Sequence, residues 1–547
     1  MKSKISLLLA LLILIGLAAC ASDNTPEPSS TATATPTPQA SGEPEPEETD
    51  SPRAGLPITD ERTDIDVWAT WGGSGISMYL TDWNDAVGFK AVEEKTNIHV
   101  NWTIASEGSE QEAFNLLMVS DVYPDIIMGF TTYYTGGLDH ALENDIIIEL
   151  EDVINTYMPN YWSRISVNEE RVKNVKTDSS KFLAIYKVMS EKQAPWGGQT
   201  IRKDWLDDLG MGIPETYDEL YDVLVAFRDV KGAGKPMKLG NNGDTFGYAM
   251  AGGFGTAATM VQKDGKVYYG PMLPEYKQYL ELTKKWYDEG LIDRDFASSS
   301  PFDFADWYNE NTGYSFGFAT VGTYEEVGGQ STNPNYLTIG VKNPVMNKGD
   351  ASRFGILARD IESGHVISSQ CDQIEICARW IDYLYSDEGA VLVNFGKENE
   401  TFFFDEEGHP TLDAEALEDM YGAPFSSLQM VTGPVDMSYY SIKYNGYGLK
   451  KASMGMNYSY MEAGQAWLEN DASALIPPFV TLTADETYEY NAIFTDAETL
   501  VQETTVKIIT GAEPMEAYDR MLDTLRDMGI DKCVEIQQSA LDRYNSR

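Results

Sequence analysis

The chain has 547 residues, too long for one compact core, and its 42% hydrophobic and 12% aromatic content can fill two or more domains. With 86 Asp and Glu against 40 Lys and Arg the formal net charge is −46, a surface that repels phosphate backbones and argues against nucleic acid as a partner. Four cysteines without a C-x-x-C pair supply neither a disulfide scaffold nor a zinc site.

Lys2 and Lys4 precede an apolar run from Ile5 to Ile15 and then Leu17-Ala18-Ala19-Cys20, the layout of an export signal over residues 1–19. The run is shorter than the ~20 residues that span a bilayer. Its L-A-A-C ending resembles the lipobox of bacterial lipoproteins. That resemblance implies lipidation at Cys20 and a body held at the outer face of the cell membrane by the lipid alone. Residues 20–57 are dominated by Pro, Ser, Thr and Glu without an apolar period, which predicts a disordered tether.

From Ile65 the pattern alternates. A strand is expected at 65–68, a helix at 83–95 and a half-buried strand at 98–104. A helix opened by a Ser109/Glu112 capping box follows, then a buried strand at 125–128. This β-α-β-α-β order predicts an open α/β sheet, whose ligands sit beyond the carboxyl ends of the strands. The loops beginning at Ala69 and Gly129 should therefore border a cleft.

Further on, Ile201–Leu206 leads into a helix stopped at Gly210, and Thr216/Glu219 cap a helix with Leu220, Val223, Leu224 and Phe227 on one face. A helix is expected at 276–288 and a strand at 314–320. An α/β pattern returns at 364–395, and the last fifth reads as helical, notably 497–509 and 518–528. Cys371 and Cys377 fall where a helix is expected to start, so helical rise and rotation should keep them apart.

No catalytic set stands out. The four histidines are scattered, Gly73-Ser74-Gly75 lacks the form of a nucleophile elbow, and Gly234-Lys235-Pro236 is not a phosphate loop. Paired glycosidase carboxylates cannot be picked out by spacing among 86 acidic residues. No cofactor and no metal site is expected. The eleven tryptophans are more informative, because indole faces stack on sugar rings. Trp205, Trp286, Trp380 and Trp467 read as core. Trp68, Trp71, Asp125, Phe130 and Tyr133 cluster at the presumed cleft, with Trp196 and Tyr324 expected from the opposite side. In that set the two tryptophans are stacking platforms and Asp125 accepts from ligand hydroxyls.

The run Ile201-Arg202-Lys203-Asp204-Trp205-Leu206-Asp207-Asp208-Leu209-Gly210, with Pro214-Glu215-Thr216-Tyr217-Asp218-Glu219-Leu220, closely resembles a signature of family 1 extracellular solute-binding lipoproteins of ABC importers. Trp286–Ile292, Ala378–Gly389 and Gln538–Tyr544 repeat further landmarks in order. The resemblance implies a two-lobed α/β periplasmic-binding-protein-like fold of type II, with the ligand cleft between the lobes. Lobe 1 is expected over 58–185 and 341–398, and lobe 2 over 186–340 and 399–547. It also implies a monomeric binder, not an enzyme, that closes on a carbohydrate and delivers it to ABC permease subunits. A surface glycoside hydrolase and a peptide-binding or signalling lipoprotein are the alternatives. Charged residues of I-R-K-D-W and D-R-Y are expected to cap or pair within a lobe. Relatives often carry a calcium loop where this chain reads Arg228-Asp229-Val230-Lys231-Gly232-Ala233-Gly234-Lys235, so no calcium is expected there.

Overall fold

A computed structural model describes residues 55–72, 76–193, 195, 197–239, 249–298, 305–318, 331–355, 359–406, 408, 410–422, 439–440 and 459–547. All of them belong to one compact unit, Pro52–Arg547. The expected signal, Cys20 and tether lie outside the described residues, apart from 55–57 at the tether's end. Among the described residues no helix is long and apolar enough to cross a membrane.

The strands are β1 (Thr63–Ala69), β2 (Ile98–Ile104), β3 (Ile126–Ile127), β4 (Ile185–Gln193), β5 (Gly197–Arg202), β6 (Lys235–Lys238), β7 (Met260–Lys263), β8 (Lys266–Tyr269), β9 (Thr312–Phe318), β10 (Thr338–Gly340), β11 (Arg359–Ile367), β12 (Phe402–Phe404), β13 (Pro410–Leu412) and β14 (Tyr439–Tyr440). One sheet has the order β14-β4-β11-β3-β1-β2, and a second has the order β10-β5-β9-β6. The expected β-α-β-α-β segment is the parallel part of the first sheet. Ile65 lies beside Val100 and Val67 beside Ile126, while β11 runs antiparallel to β3 and β4.

Each sheet carries its own apolar core. The first draws on residues between Ile58 and Val188 and between Ile361 and Leu417. The second draws on residues between Ile201 and Val341 and between Ala497 and Tyr544. Phe402, Leu412 and Leu417 pack in the first core, although they fall in the stretch expected with the second lobe. Phe479 is half-buried and packs against both. The four tryptophans expected inside are buried, each at 3% exposure or less.

Local signals explain most elements. In the helix Tyr217–Asp229 the expected apolar face is buried, and Thr216 Oγ1 accepts from Glu219 N at 3.2 Å. The Glu219 carboxylate returns to Glu215 N, one residue before the cap. Ser109 makes no cap bond, because its backbone (φ −127°, ψ 18°) is not the extended one that aims a capping hydroxyl. Glu110 accepts from Gly108 N instead. A full capping box stands at Thr483/Glu486, opening the helix Ala484–Ile509, well before the expected start at 497.

Two further expectations are corrected. Cys371 and Cys377 meet with their sulfurs 3.6 Å apart, because the helix starts at Ile374 and Cys371 lies in the preceding turn, where helical rise does not apply. Arg202 is framework as expected: it pairs with Asp204 at 2.6 Å and sits over the Trp205 and Tyr336 rings. Arg543 of D-R-Y pairs with Glu486 on its own side at 2.5 Å, as expected, but also reaches outside it to Asp178, which follows first-core residue Val175.

Candidate functional site

Two residues after strand β3 stands Gly129, whose φ of 64° is the left-handed value that glycine adopts without strain. The turn is fixed by Gly129 N donating to His365 Nδ1 at 2.9 Å and by Gly364 N donating to Thr131 Oγ1 at 2.7 Å. These bonds join the carboxyl end of β3 to β11, and a cavity of about 810 Å³ opens there. Ligand sites typically span ~300–1,000 Å³.

The first core supplies one wall, with Phe130 and Tyr134 stacked at 4.8 Å and 22°. Tyr134 Oη lies 2.8 Å from His140 Nδ1, and burial raises the phenol above its ordinary pKa, so it is a neutral hydrogen-bonding group at physiological pH. Strand β11 adds Glu362 and Ser363. The buried Lys187 ammonium holds the Glu362 carboxylate at 2.8 Å, and Ser363 Oγ is 3.1 Å from Thr132 Oγ1.

The far wall comes from Phe479, Thr481 and Thr483, and from Arg543 and Arg547 of the C-terminal helical end. Phe479 meets Tyr186 edge-on at 6.4 Å. Burial pushes the Tyr186 phenol up to about 12, against a smaller opposing pull from Arg547. Burial alone would raise Glu486, but hydrogen bonds from Arg543 and Thr483 outweigh it and hold the carboxyl below its ordinary value. Asp178 receives Arg543 Nε at 2.9 Å and Arg547 Nε at 2.8 Å. Such a lining can stack an apolar ring face and exchange hydrogen bonds with neutral hydroxyls.

The sequence-expected residues divide sharply. Phe130 borders the cavity, but its ring is fully buried and supports Tyr134 by stacking on it. Trp68 is 2% exposed and packed edge-on against Phe114 (5.5 Å) and Tyr133 (5.9 Å). Trp71 is also buried, 5.2 Å from Trp83. These contacts make Trp68, Trp71 and Tyr133 packing elements of the first core, because residues at the end of β1 are covered by neighbouring elements. Asp125 lies at the amino end of β3, away from the cavity, and accepts from Asp66 N at 2.9 Å. Trp196 and Tyr324 lie outside the described residues. Sequence reasoning missed Tyr134, Glu362, Thr483, Arg543 and Arg547. Only Thr483 had a local signal, the T-x-x-E spacing before a long apolar stripe.

The model of the family described as bacterial extracellular solute-binding protein matches residues 79–391, more than half of the chain. The fructooligosaccharide ABC transporter substrate-binding protein FusA of Streptococcus pneumoniae is 28% identical over 346 residues, 58% of this chain and 60% of FusA. Its structure in complex with kestose superposes with a TM-score of 0.67 at 20% identity, covering 88% of this chain and 100% of that one. The polygalacturonan/rhamnogalacturonan-binding protein YtcQ of Bacillus subtilis is 29% identical over 223 residues, 39% of this chain and 42% of YtcQ. An HMO-binding, ABC-transporter-associated solute-binding protein from Bifidobacterium longum infantis has a TM-score of 0.70 at 18% identity, covering 89% of this chain and 99% of that one. The sequence matches thus span 60% or less of these curated relatives, and the structural likeness establishes a shared two-domain α/β fold.

Proposed function

This chain belongs to the bacterial extracellular solute-binding proteins, and from that premise we propose that it captures a carbohydrate outside the cell and passes it to an ABC importer. The observation that carries the reading is the cavity between residues of two separate cores, walled by aromatic faces, hydroxyls and paired charges. A sugar offers a C–H face to the half-buried Tyr134, whose ring stacks on the buried Phe130, and hydroxyls to Ser363, Thr483 and Glu362. The chemistry is binding, with no bond made or broken.

In this reading one lobe is built on the first core, with Phe402, Leu412 and Leu417 included, and the other on the second, and closing them about the sugar creates the form that the permease recognises. The protein acts as a monomer. Lipid on Cys20 holds it at the outer face of the membrane, and residues 21–57 are the tether that keeps it near its transporter. Cys20→Ser should move it from the membrane fraction to the medium with ligand affinity unchanged.

The direct test is a thermal-shift screen of the full chain against fructooligosaccharides, pectic fragments and other oligosaccharides, since a ligand specific to the folded state raises the melting temperature. A saturable shift with the sugar recovered intact is expected, and Tyr134→Ala should weaken that affinity about 10-fold. Cleavage of the sugar would instead establish a hydrolase, and a response confined to peptides would remove the carbohydrate assignment.

A further inference from the structure

At the end of the first sheet opposite the cavity, the turn after β11 is pinned to its surroundings. Ser368 N donates to Asp125 O at 3.0 Å, Gln370 bonds to Tyr123 N and Asp121 O, and Gln373 Nε2 donates to Asp64 O at 3.0 Å. This framework brings Cys371 and Cys377 together with their sulfurs 3.6 Å apart, both as free thiols. Cys371 is 6% exposed and Cys377 fully buried. A disulfide needs the sulfurs to close from 3.6 Å to about 2.05 Å.

We propose that Cys371 and Cys377 form a structural disulfide in the exported protein, stapling the turn after β11 to the helix Ile374–Leu384. The inference rests on the extracellular placement of the family, because disulfides persist in oxidising compartments. The oxidant is a small-molecule disulfide. The thiolate of Cys371, the more accessible residue, attacks one sulfur of the oxidant, forming a mixed disulfide and releasing one thiolate. The thiolate of Cys377 then attacks the Cys371 sulfur and expels the second. The two protons from the protein thiols end on the two released thiols, so one disulfide is reduced as one forms.

A divalent metal is the competing occupant, since an Asp125 carboxylate oxygen lies with both sulfurs in a group spanning no more than 4.8 Å. Three donors are one fewer than the four of a closed structural zinc site, and Asp125 already accepts from Asp66 N. The disulfide needs only the two sulfurs.

Trypsin cutting after Arg359 and Arg379 releases one peptide, Asp360–Arg379, that holds both cysteines and neither of the other two. The full chain is incubated natively with oxidised glutathione, unfolded, treated with iodoacetamide and digested. The expected peptide is unalkylated and about 2 Da lighter than the dithiol, and it takes two alkyl groups only after reduction. Two alkyl groups without reduction, or a glutathione adduct retained on Cys371, would overturn the proposal. So would a zinc ion retained in the native mass spectrum and lost on Cys371→Ser. The peptide mass reads the bond whatever the ligand, so a failed sugar screen and a failed disulfide are separate results.

Discussion

Arg543 Nε donates to Asp178 Oδ2 at 2.9 Å, tying the helix that completes the second core to the segment that leads the first core into β4. The same guanidinium holds Glu486 in the capping box of the helix Ala484–Ile509, and Arg547 adds a second contact to Asp178. One carboxylate therefore serves two cations at the back of the cavity.

Asp178→Asn should lower the unfolding free energy by about 1–3 kcal/mol, because the Arg547 side chain is 3% exposed and loses its charged partner. Urea unfolding followed by circular dichroism measures it. An unchanged midpoint would show the pairing to be incidental.

Asp382 gives the fold an acid-side advantage. Its carboxylate accepts from Tyr161 N at 2.8 Å and Asn160 Nδ2 at 2.7 Å, but burial outweighs these bonds and raises its pKa to about 6. Between the ordinary carboxyl value near 4 and about 6 the folded state binds more proton than the unfolded chain, so this group's contribution to stability falls as pH rises. The change amounts to about 3 kcal/mol across that window. Compared by urea unfolding at a series of pH values, Asp382→Asn should lack this component. Parallel profiles for the two proteins would refute it.

Trp68→Ala should cost about 3–5 kcal/mol, the penalty of emptying a large buried ring site, while Trp68→Phe should cost less. Calorimetric unfolding alongside ligand titration separates packing from contact. Weakened binding at full stability would restore Trp68 as a stacking platform.

Gly129→Ala places a Cβ at φ 64° and 3.3 Å from the Tyr133 ring. Its backbone cost is about 1–2 kcal/mol. The displaced turn should also weaken sugar binding several-fold, as read by isothermal titration. Wild-type affinity in the variant would separate this turn from the site.

The α/β class, the parallel β1, β2 and β3 and the buried helix faces were legible because each is written in short-range periodicity. Ile65 and Val67 alternate inward, and Leu220, Val223, Leu224 and Phe227 recur at helical spacing. Of the expected cleft residues that are described, only Phe130 borders the cavity, for a physical reason. An aromatic at a strand's carboxyl end looks the same in sequence whether it faces a ligand or a helix, and Phe114 decides for Trp68 from 46 positions away. Arg543 and Asp178 are 365 positions apart, beyond any local pattern.

The interleaving of the two cores bears on how the chain acquires its structure. The first core needs residues from Ile58 to Leu417, and the second starts at Ile201 but is closed by Leu541 and Tyr544 on the final helix. A polypeptide made from its amino end therefore cannot finish either core before most of it has been synthesised. No single cut yields two self-sufficient halves. Loss of the final helix would leave the second core open and remove both arginines from Asp178, so a chain truncated there should populate an aggregation-prone intermediate.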